Sequence, residues 1–324
     1  MSQPLDRRAF LQQGAAAATL AAAGLAADKE KDVLPIIDTH QHLWDLKKFR
    51  LPWLKRAAHL DRSYLMEDYL KAAAELARSK AEPPARIVKT VYMEVDLAPE
   101  QQQAEADYVR DICEGGKTPM VAAVVSGRPN SDGFAKYARQ FKDSPYIKGI
   151  RQVLHGPDTP AGYCLDKRFI AGIRLLGELG LSFDLCMRPQ ELPDAAKLID
   201  ACPDTRFILD HCGNADVQAR DRTRWKKDMA AVAKRKNVVG KVSGIVATAK
   251  PGAWTADDLA PIVNHTLEVF GPDRVMFGGD WPVCTKASTL AQWVEALRAV
   301  VKDRKAEEQR KLFHDNAVRV YRLG

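Results

Sequence analysis

The stretch "IIDTHQHLWD" (Ile36–Asp45) passes from an apolar run directly into side chains that bind metals and form hydrogen bonds. A short apolar run without helical spacing is typical of a strand that is buried on both faces. His40 and His42 are two residues apart, so in an extended chain their side chains point to the same side. The stretch therefore predicts a buried strand whose C-terminal end carries part of a functional site.

The same pattern, an apolar run followed by a turn and an amphipathic segment, occurs eight times along the chain. The predicted strands are 35–40, 87–95, 120–125, 147–154, 181–187, 205–211, 237–244 and 274–281. Apolar strands that alternate with helices predict a parallel sheet covered on both faces. Eight such units favour a closed (β/α)8 barrel over an open sheet, which would need a Gly-rich phosphate loop that this sequence lacks. The predicted fold class is α/β, with one barrel domain spanning 33–324.

Residues 1–27 form a separate segment. There "DRRAFLQQG" places two arginines ahead of the alanine-rich stretch "AAAATLAAAGLAA". This composition is typical of an export signal, and the stretch is too short and too rich in alanine for a spanning helix. The arginine pair followed by Phe10 and Leu11 resembles a twin-arginine signal, which the export machinery reads as an address. We expect an exported, periplasmic bacterial protein with no stable membrane insertion after cleavage.

The composition argues against several other classes of function. The chain of 324 residues is 46% hydrophobic and 28% charged with a net charge of +7, and its charges are interspersed. Its densest basic stretch, 226–236, is typical of a solvated helix face, and no nucleic-acid-binding motif accompanies it, so we expect no nucleic-acid partner. The six cysteines are irregularly spaced and predict buried free thiols.

The functional site of such a barrel lies at the C-terminal ends of its strands. Four of the seven histidines, His40, His42, His155 and His211, fall at predicted strand ends. With Asp280 at the end of the last strand, they predict a site. The catalytic set is His40, His42, His211 and Asp280.

Six further residues are predicted to contact the substrate: Glu94, Arg151, His155, Arg188, Trp44 and Trp281. A forked guanidinium suits a substrate carboxylate or ring oxygen, and a large ring beside a polar site suits a cyclic substrate. Two acids keep a structural alternative. Glu94 either joins the site or pairs with Lys89 or Arg151, and Asp38 either joins the site or bonds backbone amides.

Six motifs in order, "DTHQHLWD", "KGIRQVLHG", "LSFDLCMRPQEL", "FILDHCGN", "GKVSG" and "VMFGGDWPV", resemble the amidohydrolase-related family of the amidohydrolase superfamily. They are most similar to the branch that contains sugar-lactone hydrolases of the fuconolactonase type and 2-pyrone-4,6-dicarboxylate lactonase. The likeness spans nearly the whole barrel segment. It implies a lactonase-type hydrolase whose substrate is a small cyclic ester. In this reading Asp280 is the general base, and the three histidines polarise the carbonyl.

The resemblance also bears on cofactors. The best-known members of the superfamily hold divalent metals, often bridged by a modified lysine at the end of strand 4. This chain has Arg151 and His155 there, and Lys148 falls near the start of that strand. We therefore expect no binuclear site, and the resemblance to the lactonase branch implies a reaction that requires no metal. If one divalent metal such as zinc binds, its ligands are His40, His42, His211 and Asp280.

Two alternatives accompany the lactonase reading. The first is a zinc-dependent decarboxylase, or another metal-dependent amidohydrolase, that uses the same residues. The second is an exported binding protein whose barrel has lost turnover, because barrels support many functions.

Overall fold

A computed structural model describes residues 33–324, and the predicted export segment 1–27 lies outside them. Eight parallel strands pair in chain order within one sheet. They are β1 Leu34–Gln41, β2 Ala85–Met93, β3 Met120–Ser126, β4 Ile147–Val153, β5 Ser182–Cys186, β6 Arg206–Leu209, β7 Val238–Val242 and β8 Val275–Phe277. The predicted barrel is confirmed.

A helix follows each strand on the outside of the barrel. The eight are α1 Met66–Leu76, α2 Gln102–Gly115, α3 Phe134–Arg139, α4 Lys167–Glu178, α5 Leu192–Ala201, α6 Thr223–Ala233, α7 Ala256–Phe270 and α8 Leu290–Val301. A C-terminal segment adds α9 Ala306–Arg310, a π-helical turn Lys311–Asp315 and α10 Asn316–Tyr321. Within 33–324, none of the helices combines the length and apolar character needed to cross a membrane.

Backbone hydrogen bonds join β1 to the segment after β8 and bring the two edges of the sheet together. The amide of Asp280 donates to the carbonyl of His40 at 2.8 Å, and the amide of His42 donates to the carbonyl of Trp281 at 2.9 Å. The closure therefore runs through residues predicted for the site.

Asp38 strengthens this closure from within. Its Oδ1 accepts from the backbone amides of His40 at 3.0 Å and Gly279 at 2.6 Å, and its Oδ2 accepts from the Tyr69 hydroxyl at 2.8 Å. Asp38 is fully buried, so these three donors take the place of water. Of the two readings of Asp38, the bond to backbone amides is the one that the structure contains.

The core has two apolar layers, and strand residues alternate between them. Tyr92, Phe207 and Leu209 belong to the larger layer, between strands and helices. Their neighbours Val91, Met93 and Ile208 belong to a smaller layer that also contains Val320 and Tyr321 of α10. This alternation is expected of strands buried on both faces. The C-terminal helix therefore packs against the inward-facing strand residues.

The predicted strands 205–211 and 274–281 are too long at their C-terminal ends. β6 ends at Leu209 and β8 at Phe277. Beyond these ends His211 has φ 54° and Asp280 has φ 53°, in the left-handed region that a ladder does not accommodate. The chain leaves the sheet at the residues predicted to be catalytic.

All six cysteines are buried and unpaired, as the spacing predicted. Burial raises the pKa of Cys186 and Cys212 to about 12, so these thiols stay protonated at neutral pH. The structure gives neither of them a nucleophilic role.

Glu105 of α2 ties together the ends of β2 and β3. Its carboxylate accepts from the Tyr92 hydroxyl at 3.0 Å and from the backbone amides of Val95 at 3.2 Å and Ser126 at 2.9 Å. Burial, followed by the charge of Glu94, raises the pKa of Glu105 from 4.5 to about 7. The folded protein therefore holds this proton more tightly than the unfolded chain does.

This shift predicts a pH-dependent stability. The contribution of Glu105 is fully present below about pH 4.5 and is lost as the pH rises toward about 7. Over that window the free energy of unfolding of the wild type should fall relative to Glu105→Gln, by at most about 1.4 kcal/mol per pH unit. Urea unfolding of both proteins from about pH 5 to about pH 7.5 measures the difference. Parallel pH curves would contradict the raised pKa.

Candidate active site

The structure brings the four predicted catalytic residues together at the C-terminal end of the barrel. His42 Nε2 lies 3.2 Å from Asp280 Oδ1, and His40 Nε2 lies 3.7 Å from the same oxygen. The His40 ring is 4.9 Å from the His42 ring and 4.5 Å from the His211 ring, measured between centroids. Three imidazoles and one carboxylate thus form a single cluster.

Left-handed backbone sets the direction of His211. The four residues His211–Asn214 form one turn in which every φ is positive, between 52° and 67°. Such backbone costs about 1–2 kcal/mol per non-glycine residue, so surrounding contacts must hold it. Ser243 supplies two of them. Its Oγ lies 2.9 Å from His211 Nδ1 and accepts from the His211 amide at 3.3 Å.

Gly244 leaves the space that the His211 ring occupies. A Cβ on Gly244 would lie 2.2 Å from His211 Nδ1, and the φ of this residue is +66°. Gly244→Ala should therefore displace His211 and lower kcat at least ~10-fold, because small displacements of reacting groups are costly. Steady-state kinetics and thermal unfolding measure the effect.

Gly252→Ala is the matched control for this substitution. Gly252 has a φ of +69°, and no atom of the described residues lies within 4 Å of the position that its Cβ would take. Gly252→Ala therefore introduces the same kind of backbone strain as Gly244→Ala, but no contact with His211. Equal loss of kcat in both variants would show that strain, and not the position of His211, is responsible.

His42 has a defined tautomer. Its Nδ1 lies 2.9 Å from the carbonyl oxygen of Met93, which can only accept, so Nδ1 carries the proton. Nε2 then directs a lone pair at Asp280 Oδ1, 3.2 Å away. Two acceptors at this distance need a cation between them, either a proton that makes His42 an imidazolium or a metal ion.

Arg151 and Glu94 form a buried ion pair beside this cluster. Arg151 Nε donates to Glu94 Oε1 at 2.7 Å, and Nη2 donates to the Glu94 carbonyl at 2.7 Å. Arg151 Nη1 lies 3.2 Å from both Asp210 Oδ2 and His40 Nε2. Both residues were predicted to contact substrate, and the structure places their polar atoms against each other. Of the two alternatives for Glu94, a place in the site or an ion pair, the structure contains the ion pair with Arg151.

Lys241 and Asp184 complete a charge network that the predicted site did not include. Lys241 Nζ lies 2.9 Å from Asp184 Oδ2, 2.9 Å from Asp210 Oδ1 and 3.4 Å from His40 Nδ1. Lys241 and Asp184 are completely buried. The signal in the sequence was a charged residue inside each of two apolar runs, because an interior charge must have a partner.

Burial sets the protonation of this cluster. It lowers the pKa of His211, and it lowers that of His40 well below its usual range, so both rings are neutral at neutral pH. Burial alone would raise the pKa of Asp210, but Lys241 and then His40 outweigh it and hold this pKa well below its usual range. The network therefore keeps Asp210 ionised beside a neutral His40.

The remaining predicted contacts surround the mouth. His155 is exposed, and desolvation by nearby protein atoms, followed by the charge of His211, lowers its pKa to about 4. Arg188 donates to the carbonyls of Gly156 at 3.1 Å and Thr159 at 3.0 Å and pairs with Glu191 at 2.8 Å. It therefore fixes the loop after β4.

Trp44 and Trp281 are buried in aromatic packing. The Trp44 ring lies 5.0 Å from the Tyr64 ring, and its Nε1 donates to the Arg62 carbonyl at 2.6 Å. The Trp281 ring lies 5.4 Å from the Tyr64 ring and 5.4 Å from the Tyr69 ring. The structure thus places both rings in the packing under the mouth.

Two sets of side chains among the described residues have donor atoms close enough to hold one metal ion. One is His40, His42 and Asp280, and the other is His40, Asp210 and His211, with donor atoms within 4.8 Å of one another in each. Imidazole and carboxylate are ligands of zinc and similar ions. The sequence predicted one combined set from His40, His42, His211 and Asp280.

Fold and site together define a barrel hydrolase. The family model described as Amidohydrolase matches residues 37–323, and the chain belongs to this family. L-fucono-1,5-lactonase of Burkholderia multivorans is 25% identical over 302 residues, which cover 89% of this chain and 96% of the relative. A 2-pyrone-4,6-dicarboxylate hydrolase of Comamonas testosteroni is 26% identical over 66% of this chain and 74% of its own length.

A solved structure supports the same fold. An amidohydrolase from Burkholderia multivorans with bound zinc aligns with a TM-score of 0.77 at 23% identity, covering 89% of this chain and 99% of that one. The predicted membership and hydrolase class are confirmed. The alternative of a binding protein without turnover is set aside.

Proposed function

We propose that this amidohydrolase opens lactones by adding water to the ester carbonyl. The observation that carries the proposal is the cluster of Asp280 with His40, His42 and His211 at the barrel mouth. The lactonase names of relatives that match most of the chain support the same reaction. Ester hydrolysis needs a base for water and a donor for the carbonyl oxygen, and the cluster contains both kinds of group.

Asp280 takes the proton from water as the water oxygen attacks the carbonyl carbon. The carbon–oxygen bond of the ring then breaks, and the leaving alkoxide needs a proton. His155 is neutral at neutral pH because its pKa is lowered to about 4. The newly protonated Asp280 therefore returns its proton to the alkoxide, which gives the ring-opened hydroxy acid and the ionised enzyme.

His211 is the best-placed donor for the developing oxyanion. When the Ser243 hydroxyl donates to His211 Nδ1, 2.9 Å away, Nε2 carries the proton of the ring and can donate it in a hydrogen bond to a substrate oxygen. His40 is completely buried behind His42 and His211 and supports their rings. One well-placed donor contributes about 3 kcal/mol to transition-state stabilisation.

The residues also fit one divalent metal. His42 Nε2 and Asp280 Oδ1 already face each other as two acceptors 3.2 Å apart. His40 Nε2 would be the third ligand, exchanging its contact with Arg151 for the ion. A bound metal would supply Lewis-acid polarisation of the carbonyl. A lactonase that needs no metal remains our prediction.

The arginines at the mouth favour an uncharged lactone. Arg151 pairs with Glu94 at 2.7 Å, Arg188 with Glu191 at 2.8 Å, and Arg128 with Asp96 at 3.2 Å. Each guanidinium already has a carboxylate partner inside the protein. A substrate carboxylate would have to displace that partner, which disfavours a dicarboxylate. We therefore infer a sugar-acid lactone or a similar neutral cyclic ester.

A pH-indicator screen tests the reaction on aldonolactones and on a pyrone dicarboxylate lactone, with metal-stripped and zinc-loaded protein. We expect neutral lactones to exceed the dicarboxylate at least ~10-fold in kcat/KM in both preparations. No hydrolysis in either preparation would overturn the lactonase proposal. Activity confined to the zinc-loaded protein would overturn the metal-free prediction alone.

We also propose export to the periplasm, on the basis of Arg7 and Arg8 ahead of the alanine-rich stretch. The full chain should reach the periplasmic fraction of a bacterial host, and a variant with both arginines replaced by lysine should stay in the cytoplasm. Equal fractionation of the two chains would contradict twin-arginine export.

A further inference from the structure

Lys241 of β7 is a buried cation that the hydrolysis steps above do not use. Its side chain is completely buried, and its ammonium lies 2.9 Å from both Asp184 Oδ2 and Asp210 Oδ1. A side chain that is buried away from water stays ionised when groups of opposite charge surround it. Lys241 therefore bridges two carboxylates in the barrel interior.

The two carboxylates reach in different directions. Beyond Lys241, Asp184 Oδ2 contacts the Tyr321 hydroxyl at 3.5 Å, away from the mouth. Asp210 contacts Arg151 Nη1 at 3.2 Å and His40 Nδ1 at 3.5 Å. One partner of Lys241 thus belongs to the interior, and the other touches the histidine cluster.

We propose that Lys241 is a positioning residue for hydrolysis, which holds Asp210 between Arg151 and His40 and thereby fixes the His40 ring. Without Lys241, Asp210 has Arg151 as its remaining ion partner and turns toward it. His40 Nδ1 then loses its contact with the Asp210 carboxylate. Because the His40 ring packs at 4.9 Å from His42 and 4.5 Å from His211, its displacement reaches the rings that act on substrate.

A charge-compensated variant separates positioning from neutralisation of buried charge. Lys241→Met alone leaves two interior carboxylates short of one cation, which destabilises the fold. Combining it with Asp184→Asn removes one positive and one negative charge, so the net interior charge equals that of the wild type. Asp184→Asn alone is the matched control, because it keeps the contact between Lys241 and Asp210.

The activity readout of this experiment rests on the proposed function. The double variant D184N/K241M should unfold within about 5 °C of the wild type. Its kcat should fall at least ~10-fold with KM nearly unchanged, while D184N keeps kcat within about threefold. Wild-type kcat in the double variant would show that Lys241 only neutralises charge, and would overturn the proposal. D184N/K241Q repeats the measurement with a polar side chain in case D184N/K241M does not fold.

Nitrogen NMR of the His40 ring gives a second readout that needs no substrate. In the wild type, Arg151 Nη1 can only donate to His40 Nε2, 3.2 Å away, so the proton of the neutral ring should sit on Nδ1, which lies 3.5 Å from Asp210 Oδ1 and 3.4 Å from Lys241 Nζ. In the double variant, Asp210 turned toward Arg151 should take the Nη1 group that it shares with His40 Nε2, so the ring loses its donor and should show a mixture of both tautomers at the same pH. His40→Gln identifies the resonance. An unchanged tautomer overturns the role of Lys241. A wild type that hydrolyses no lactone overturns the proposed function alone.

Discussion

Asp280→Asn should lower kcat for lactone hydrolysis at least ~100-fold and leave the fold intact. The amide has the shape of the carboxylate but cannot take a proton from water. Asparagine also tolerates the left-handed backbone of this position, where φ is 53°. Steady-state kinetics, thermal unfolding and the zinc content of both proteins measure the effect.

Asp96→Asn is the control for this substitution. Asp96 also follows a strand at the mouth, with φ 46°, and pairs with Arg128 at 3.2 Å. Asp96→Asn makes the same chemical change on left-handed backbone, away from the histidine cluster. Its kcat should stay within about threefold of the wild-type value. Retained activity in Asp280→Asn would remove Asp280 as the base.

Arg151→Met should destabilise the protein by about 3–5 kcal/mol, because it leaves Glu94 buried without its cation. Glu94 is completely buried, and Arg151 donates to both its carboxylate and its carbonyl at 2.7 Å. Asp210 loses its second cation in the same change. Urea unfolding near neutral pH measures the loss, and activity should fall with it.

Arg235→Met provides the comparison with a surface pair of similar geometry. Arg235 contacts Asp200 through two nitrogens at 2.9 Å and 2.6 Å, but the Asp200 side chain is 57% exposed. This variant should lose less than about 1 kcal/mol. If Arg151→Met instead keeps wild-type stability and only raises KM, Arg151 binds substrate, as its place in the sequence predicted.

The fold and the meeting of the histidines with Asp280 were predictable because both depend on a local pattern. Each apolar run marked a strand, and the polar residues after it marked the mouth, so His40, His211 and Asp280 met as predicted. In a parallel barrel, residues at the C-terminal ends of different strands become neighbours although they are far apart in sequence. Their proximity can therefore be predicted before any side-chain contact is known.

The partners of the charged residues were only partly predictable, because they depend on rotamers and registers that a strand pattern does not specify. The pairing of Glu94 with Arg151 was one of several alternatives, and the sequence did not decide between them. Arg151 looked available to a ligand, yet Glu94 and Asp210 bind it within the barrel. Lys241 and Asp184 looked like single polar residues in apolar runs, and only the registers of β5, β6 and β7 bring them together.

The tryptophans illustrate a related limit. A large ring at a strand end is compatible with stacking on a ligand and with packing under a loop. The Trp281 ring packs edge to face against the rings of Tyr64 and Tyr69, which follow β1 by more than twenty residues. The position of that connecting segment decides whether the Trp281 ring is covered or exposed, and strand patterns carry no information about where the segment lies.

The bonds between β1 and the segment after β8 also constrain the order of events during folding. His42 and Asp280 are separated by 238 positions in sequence, and their own backbone amides join β1 to the segment after β8. As long as only the first seven strands have formed, Asp280 does not lie beside His42. Contacts of such long range form late. Regained enzymatic activity after dilution from denaturant should therefore report the final joining of the two chain ends, later than signals from helices or individual strands.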